Sequence, residues 1–234
     1  SASYAARWNG AAWSPLGAGT NDWVFALAVD GGGNVYAGGK FTAAGEVRGA
    51  NQIAHWNGAI WSGLGAGVNN TVSALAPGGS GTVFAGGSFT GAGGVNAGFV
   101  AGWNGTLWSA LGSGMNNTVF ALATSGSANL YAGGALTRAG LASASYVAAW
   151  DGSSWSGLGP GMDNFVYALA VDGAGSLYAG GAFTTAGGVS AAAIAKWNGT
   201  SWSPLGEGMN DIVYALAVDD SGNVYAGGTF TTAG

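Results

Sequence analysis

Three consecutive positions recur five times along this 234-residue chain, and each recurrence carries hydrogen-bonding side chains. Asn21, Asn69, Asn116, Asp163 and Asn210 come first. Asp22, Asn70, Asn117, Asn164 and Asp211 follow, and then Trp23, Thr71, Thr118, Phe165 and Ile212. Amides offer donors and acceptors together, as sugar hydroxyls require, and carboxylates accept strongly. An aromatic neighbour adds a face on which a sugar ring can stack. The candidate ligand-binding set is Asn21, Asp22, Trp23, Asn69, Asn70, Asn116, Asn117, Asp163, Asn164, Phe165, Asn210 and Asp211. The same residue types also cap tight turns, so spacing leaves both roles open.

Catalytic chemistry has little to draw on. There is one His and no Cys. His55 holds a position occupied elsewhere by Arg7, Gly102, Ala149 and Lys196, and a site that accepts all of these is expected to face solvent. Neither a Ser-His-Asp set nor a Cys-His pair can be assembled. Asp30, Asp172 and the pair Asp219-Asp220 follow a strand, where Asp bonds its own backbone. Their segments lack the alternating acids of a calcium loop. The Gly-Ala-Gly-Gly stretch at residues 91–94 precedes a strand rather than a helix, and no Lys follows in register, so it makes no phosphate cradle. No catalytic residue, metal or cofactor is expected, and the chain is read as a non-enzyme.

Composition narrows the partners. Charged residues make up 6% of the chain, against about 25% in ordinary globular proteins. The 48 Gly would suit disorder, but 11 Trp, 8 Tyr and 9 Phe at regular positions favour a packed core. Five Lys and Arg against ten Asp and Glu give a net charge of −5 and no basic stripe, so nucleic acid is not an expected partner. No apolar run reaches the length of a spanning helix, so membrane insertion is not expected. Little repulsion between molecules favours self-association. Glycans are the expected ligands, and an extracellular or cell-surface location fits them.

The elements that position these residues come from the repeat. Trp8, Trp56, Trp103, Trp150 and Trp197 are spaced by 48, 47, 47 and 47 residues, each followed by Asn-Gly or Asp-Gly. A second Trp stands five residues on, at Trp13, Trp61, Trp108, Trp155 and Trp202. A Gly pair keeps step at Gly38, Gly86, Gly133, Gly180 and Gly227. A period in this range means copies of one supersecondary unit. In the fourth copy, residues 165–172 alternate large and small and predict a strand. Residues 173–175 form a turn, 176–181 a second strand, 184–190 a loop, 193–197 a third strand and 201–205 a fourth. Pro204 places that fourth strand at an edge.

Four short antiparallel strands per unit make a propeller blade. The expected fold is an all-β, five-bladed β-propeller of four-stranded antiparallel blades, a single domain over residues 1–234. Its fifth blade combines strands from residues 1–17 and 210–234, closed by pairing of the N- and C-terminal strands. Closure costs about 4–5 kcal/mol of chain entropy and removes two open sheet edges. An open solenoid is the alternative. The paired Trps are expected to fill the core between blades.

The strand ending Val-Tyr-Ala-Gly-Gly, the aromatic third strand and the spaced Trp followed by Leu-Gly resemble the kelch-type propeller repeat, once per blade along the whole chain. The chain departs from kelch in its Trp-Asn-Gly turn and in lacking a charged dipeptide after the Gly pair. It lacks the Gly-His and Trp-Asp signature of WD40 repeats. Five blades of this period are similar in plan to tachylectin-2-type lectins. Copper oxidases built on kelch-like folds need Tyr, His and Cys at the metal, which this composition does not supply. The lectin resemblance implies carbohydrate recognition at quasi-equivalent sites, where several weak contacts raise avidity. The other reading is a structural or display repeat, or an engineered symmetric propeller without a ligand.

Overall fold

In a computed structural model the described residues, 2–126 and 129–234, form an all-β protein of short antiparallel strands. Ser1, Ser127 and Ala128 lie outside the described residues. The chain divides into two compact units, Ser1–Ala110 and Leu111–Gly234.

The first unit opens with a two-stranded sheet, Ala6–Trp8 paired with Trp13–Pro15. Two four-stranded sheets follow, each with its strands in sequence order. The first contains Val24–Val29, Val35–Gly39, Ile53–Trp56 and Trp61–Gly63. The second contains Val72–Pro77, Val83–Gly87, Val100–Trp103 and Trp108–Ala110. The second unit repeats the plan with Val119–Ser125, Asn129–Gly134, Val147–Trp150 and Trp155–Gly157. Its next sheet is Val166–Val171, Leu177–Gly181, Ile194–Trp197 and Trp202–Pro204. It closes on a two-stranded sheet of Val213–Val218 and Val224–Gly228.

Local chemistry sets each turn. Between first and second strands, Asp172 Oδ1 accepts from the N–H groups of Ala174 and Ser176 at 3.0 and 2.8 Å. Asp219, one repeat later, and Asp30, three repeats earlier, do the same. The turn reading of these Asp residues is the one the structure shows. Between third and fourth strands, Asn198 Oδ1 holds the N–H groups of Thr200 and Ser201 at 2.9 and 2.8 Å. Gly199 there has φ near +96°, which only Gly adopts without strain.

Sheets within a unit are locked by small residues. A Cβ on Gly180 would lie 2.5 Å from Val213 Cγ1 of the next first strand, and Gly133 stands in the same relation to Val166. The first Gly of the pair is therefore a slot for a neighbouring Val at Gly38, Gly133 and Gly180. The second Trp of each repeat reaches back across the joint. Trp61, Trp108, Trp155 and Trp202 donate Nε1–H to the carbonyls of Leu16, Leu64, Leu111 and Leu158 at 2.7–2.9 Å.

Two expectations differ from what is found. Core placement holds for Trp56, Trp61, Trp103, Trp108, Trp155, Trp197 and Trp202, whereas Trp150 is half-buried and Trp8 and Trp13 are 51% and 70% exposed. The 184–190 loop contains a two-residue ladder, Thr185–Ala186 with Val189–Ser190, because the Gly187-Gly188 pair makes a hairpin.

Candidate functional site

The first ring of amides serves the chain's own backbone. Asn21 Oδ1 accepts from the N–H groups of Thr42 and Ala43, both at 2.9 Å, while its Nδ2 donates to Thr42 Oγ1. Asn69, Asn116 and Asn210 make the same bracket with the loop 21 residues on. At Asp163 the hydroxyl reverses its role, and Thr184 Oγ1 donates to Oδ2 at 2.6 Å. Partial burial pushes the Asp163 carboxyl up, but the Thr184 and Thr185 bonds outweigh it and hold it below the usual carboxylate range.

The second ring is freer. Asp22, Asn70, Asn117, Asn164 and Asp211 each accept from the N–H of the following residue at 2.7–2.8 Å. The Nδ2 groups of Asn70, Asn117 and Asn164 have no partner among the described residues, and all three side chains are exposed. They are open donors, and at Asn70 the oxygen also accepts from Thr71 Oγ1 at 3.4 Å.

Aromatic residues gather next to this ring in a way the sequence pattern missed. In every first strand the pairing register shifts at one residue: Phe25, Ser73, Phe120, Tyr167 and Tyr214. The bulge re-aims that side chain. In the second unit the result is an aromatic cluster. Phe165 lies 6.1 Å from Phe120, 5.7 Å from Tyr146 and 6.2 Å from Tyr167, and Tyr167 lies 5.1 Å from Tyr214. Burial, with Tyr214 alongside, pushes the Tyr167 phenol up, so it stays a neutral donor at neutral pH. In the first unit Trp23 and Phe25 meet edge to face at 5.9 Å, with Lys40 Nζ 5.9 Å above the Trp23 ring. The available signal was a large residue at that strand position in four of the five first strands, with Ser73 the exception.

A cleft of about 690 Å³ in the first unit is lined by Asn51, Gln52, Asn69 and Asn96. It is walled largely by amides and backbone, so it can exchange hydrogen bonds with a neutral polar ligand.

His55 is not solvent-facing, as its position in the repeat suggested. It is half-buried, its ring centroid 4.9 Å from Tyr36, its Nδ1 3.2 Å from Ser62 Oγ. The flat Tyr36 ring on the neighbouring strand covers it. Its Nε2 is buried without a partner among the described residues. Burial lowers its pKa against the opposing pull of Asp30. Asp30 gives its oxygens to Gly32 and Asn34, so no carboxylate bond orients the imidazole as a catalytic base requires.

No protein-family model and no curated protein matches the chain. Solved structures do. The WD40 β-propeller domain of Doa1 matches with a TM-score of 0.57 at 15% identity, over 89% of this chain and 62% of that one. YCF48 bound to D1 peptide matches with a TM-score of 0.55 at 11% identity, over 88% and 60%. The extracellular domain of BT3049 from B. thetaiotaomicron matches with a TM-score of 0.56 at 10% identity, over 87% and 26%. The chain thus spans less than two thirds of the length of each. The likeness is one of fold: four-stranded antiparallel sheets of β-propeller type, repeated along the chain.

Proposed function

We propose that this protein is a non-enzymatic binding module that recognises carbohydrate at repeated, quasi-equivalent sites. The observation that carries the reading is the second-unit cluster of Phe120, Phe165, Tyr167 and Tyr214 beside Asn164, whose Nδ2 has no partner among the described residues. Aromatic faces bury the apolar side of a pyranose, while a neutral amide meets its hydroxyls in both directions. The full contact set is the one the spacing suggested, Asn21 through Asp211, extended by the bulge aromatics. Within it the second ring reaches the ligand and the first ring stiffens the loop that presents it.

The arrangement proposed to present these sites is five kelch-like blades over residues 1–234, similar in plan to tachylectin-2-type lectins. Residues 1–17 and 210–234 supply the strands of the fifth. An extracellular location fits glycan binding and agrees with the extracellular domain among the structural neighbours. A structural or display role without a ligand is the competing reading, favoured by near-identical copies and low charge.

A glycan array probed with the purified protein, Asn164→Ala and Phe165→Ala tests the proposal. Both residues are exposed, so the variants should fold. Binding of a defined sugar that both substitutions weaken by tenfold or more supports it. A blank array, or a hit indifferent to both, overturns it in favour of the structural role.

A further inference from the structure

We propose that a cleft in the first unit binds a primary alkylammonium ion, the group that ends a lysine side chain, at Asp30, Tyr36 and His55. The inference does not depend on the glycan reading, which uses other residues. It rests on a tethered ammonium that the chain holds in one sheet, and on the matching place in another sheet that no cation of the chain fills.

The second unit shows the filled version. In the sheet that begins at Val166, Lys196 pairs across from Tyr178. Its Nζ lies 5.1 Å from the centre of the Tyr178 ring and 3.8 Å from Asp172 Oδ2. The Tyr178 hydroxyl donates to the same oxygen at 3.1 Å. A cation over a ring and beside a carboxylate is held by the ring quadrupole and by charge together. Asp172 does this while its Oδ1 stays on the N–H groups of Ala174 and Ser176. The turn and the ion pair therefore use different oxygens of one carboxylate.

The sheet that begins at Val24 has the same parts without the cation. Asp30 holds the repeat position of Asp172, and His55 pairs across from Tyr36 as Lys196 does from Tyr178. Asp30 Oδ1 is on the N–H groups of Gly32 and Asn34, and Oδ2 accepts from the Asn34 amide at 2.8 Å. Those Asn34 bonds hold the carboxyl below its usual range, so it is charged at neutral pH. No Lys, Arg or His nitrogen makes an ion pair with it among the described residues. The imidazole is shorter than a lysine side chain, and its ring lies on Tyr36 instead. The turn alone does not demand this charge. In the sheet that begins at Val72, Gly78 stands in the acid's place, and its N–H still donates to the Thr82 carbonyl at 2.7 Å.

The unfilled place is a cavity of about 400 Å³, lined by Asp30, Tyr36, His55, Ser62, Trp103 and Asn104. His55 adds an acceptor to it. The Ser62 hydroxyl donates to the His55 carbonyl at 3.4 Å, a bond that Ser109 and Ser203 repeat to Gly102 and Lys196 in sheets without a His. With its proton spent there, Ser62 Oγ accepts from His55 Nδ1–H at 3.2 Å, which leaves the lone pair on Nε2. That nitrogen is buried without a partner among the described residues, and a buried acceptor calls for a donor. A carboxylate, a bare acceptor and the Tyr36 and Trp103 rings together repel an anion and suit a cation that carries hydrogens. An alkylammonium brings three N–H donors and an apolar stem.

The chain has a single His, so its imidazole proton signals in solution NMR report on this cleft alone. Titration with n-butylammonium and with Nα-acetyl-lysine methylamide should shift them saturably. Nα-acetyl-norleucine methylamide, which has the stem without the charge, should bind at least tenfold more weakly. Tighter binding of the lysine derivative than of butylammonium assigns the site to a lysine within a peptide, and equal binding assigns it to a free amine. Asp30→Asn keeps an oxygen for the turn and should weaken binding tenfold or more. His55→Lys places a tethered ammonium where Lys196 has one, and should abolish binding, read from the backbone amide signals of Tyr36 and Ser62. This second variant decides the matter if Asp30→Asn fails to fold. Wild type that shows no saturable shift overturns the proposal. So does norleucine binding at the strength of lysine, or a His55→Lys variant that binds as wild type does.

Discussion

A single indole nitrogen shows how much one residue does here. Trp202 Nε1–H reaches the Leu158 carbonyl at 2.9 Å in a buried joint. Trp202→Phe removes that donor and part of the ring's packing, and should cost about 1–3 kcal/mol in chemical denaturation. Trp13→Phe, at an exposed indole, should cost under about 0.5 kcal/mol in dilute solution. Equal losses would show that the indole bond is not what separates them. The amide ring makes the complementary case. Asn116 holds two backbone N–H groups and a hydroxyl of the loop at Thr137 and Arg138. Asn116→Ala should lower stability by about 1–2 kcal/mol, measured by thermal unfolding, and should affect a ligand only through the loop. The sequence displayed this ring clearly. It did not display its role, because the partner loop lies 21 residues away and only folding brings it to the oxygen. His55 was misread for a similar reason: its cover, Tyr36, lies on another strand.

At the scale of elements, strands and turns were readable and their irregularities were not. A period of 47 residues with paired Trp and paired Gly placed all four strands of the fourth copy within about a residue or two of those observed, the usual scatter of strand ends. The register shift at Phe25, Phe120, Tyr167 and Tyr214 showed only as a large residue recurring at one strand position, with nothing to mark the bulge itself. The left-handed backbone at Tyr4, Gln52, Phe99, Tyr146 and Ala193, all of them side chains that favour negative φ, left no trace in composition. Both are imposed by hydrogen bonds from distant segments. At Ala193, for instance, the N–H donates to Phe183 and the carbonyl accepts from Gly181, each at 2.9 Å. The Gly pair, by contrast, was visible and its purpose follows from packing. Gly180→Ala places a methyl 2.5 Å from Val213 Cγ1 and should cost about 1–3 kcal/mol by overpacking. Adding Val213→Ala should return part of that loss, although Val213→Ala alone is destabilising. Losses that simply add in the double variant would show that the two residues do not share a slot.

For the whole molecule, the repeat made the recurring antiparallel sheets legible. The response to pH is legible from where charge lies. The chain has ten carboxylates and one His. The Asn34 amide, with its own N–H and that of Gly32, holds the Asp30 carboxyl below the usual range, and Asn223 does the same for Asp219. At Asp172 burial pushes the other way and is outweighed by bonds from Ser176 and Tyr178. Each of these groups binds a proton less readily in the folded chain than in the unfolded one, so the unfolded chain gains protons first as pH falls. The stability they supply is whole above the ordinary carboxylate value, near 4, and is lost as pH drops through the lowered folded values. His55 has the same sign, because burial lowers its pKa and the unfolded chain is protonated first below about 6.5. The melting temperature should therefore be level near neutrality, decline gently below about pH 6.5 and fall steeply below about pH 4. His55→Phe should remove the gentle decline and leave the acid limb in place. A melting temperature that stays level down to about pH 3 would show that the turn carboxylates contribute nothing to folding.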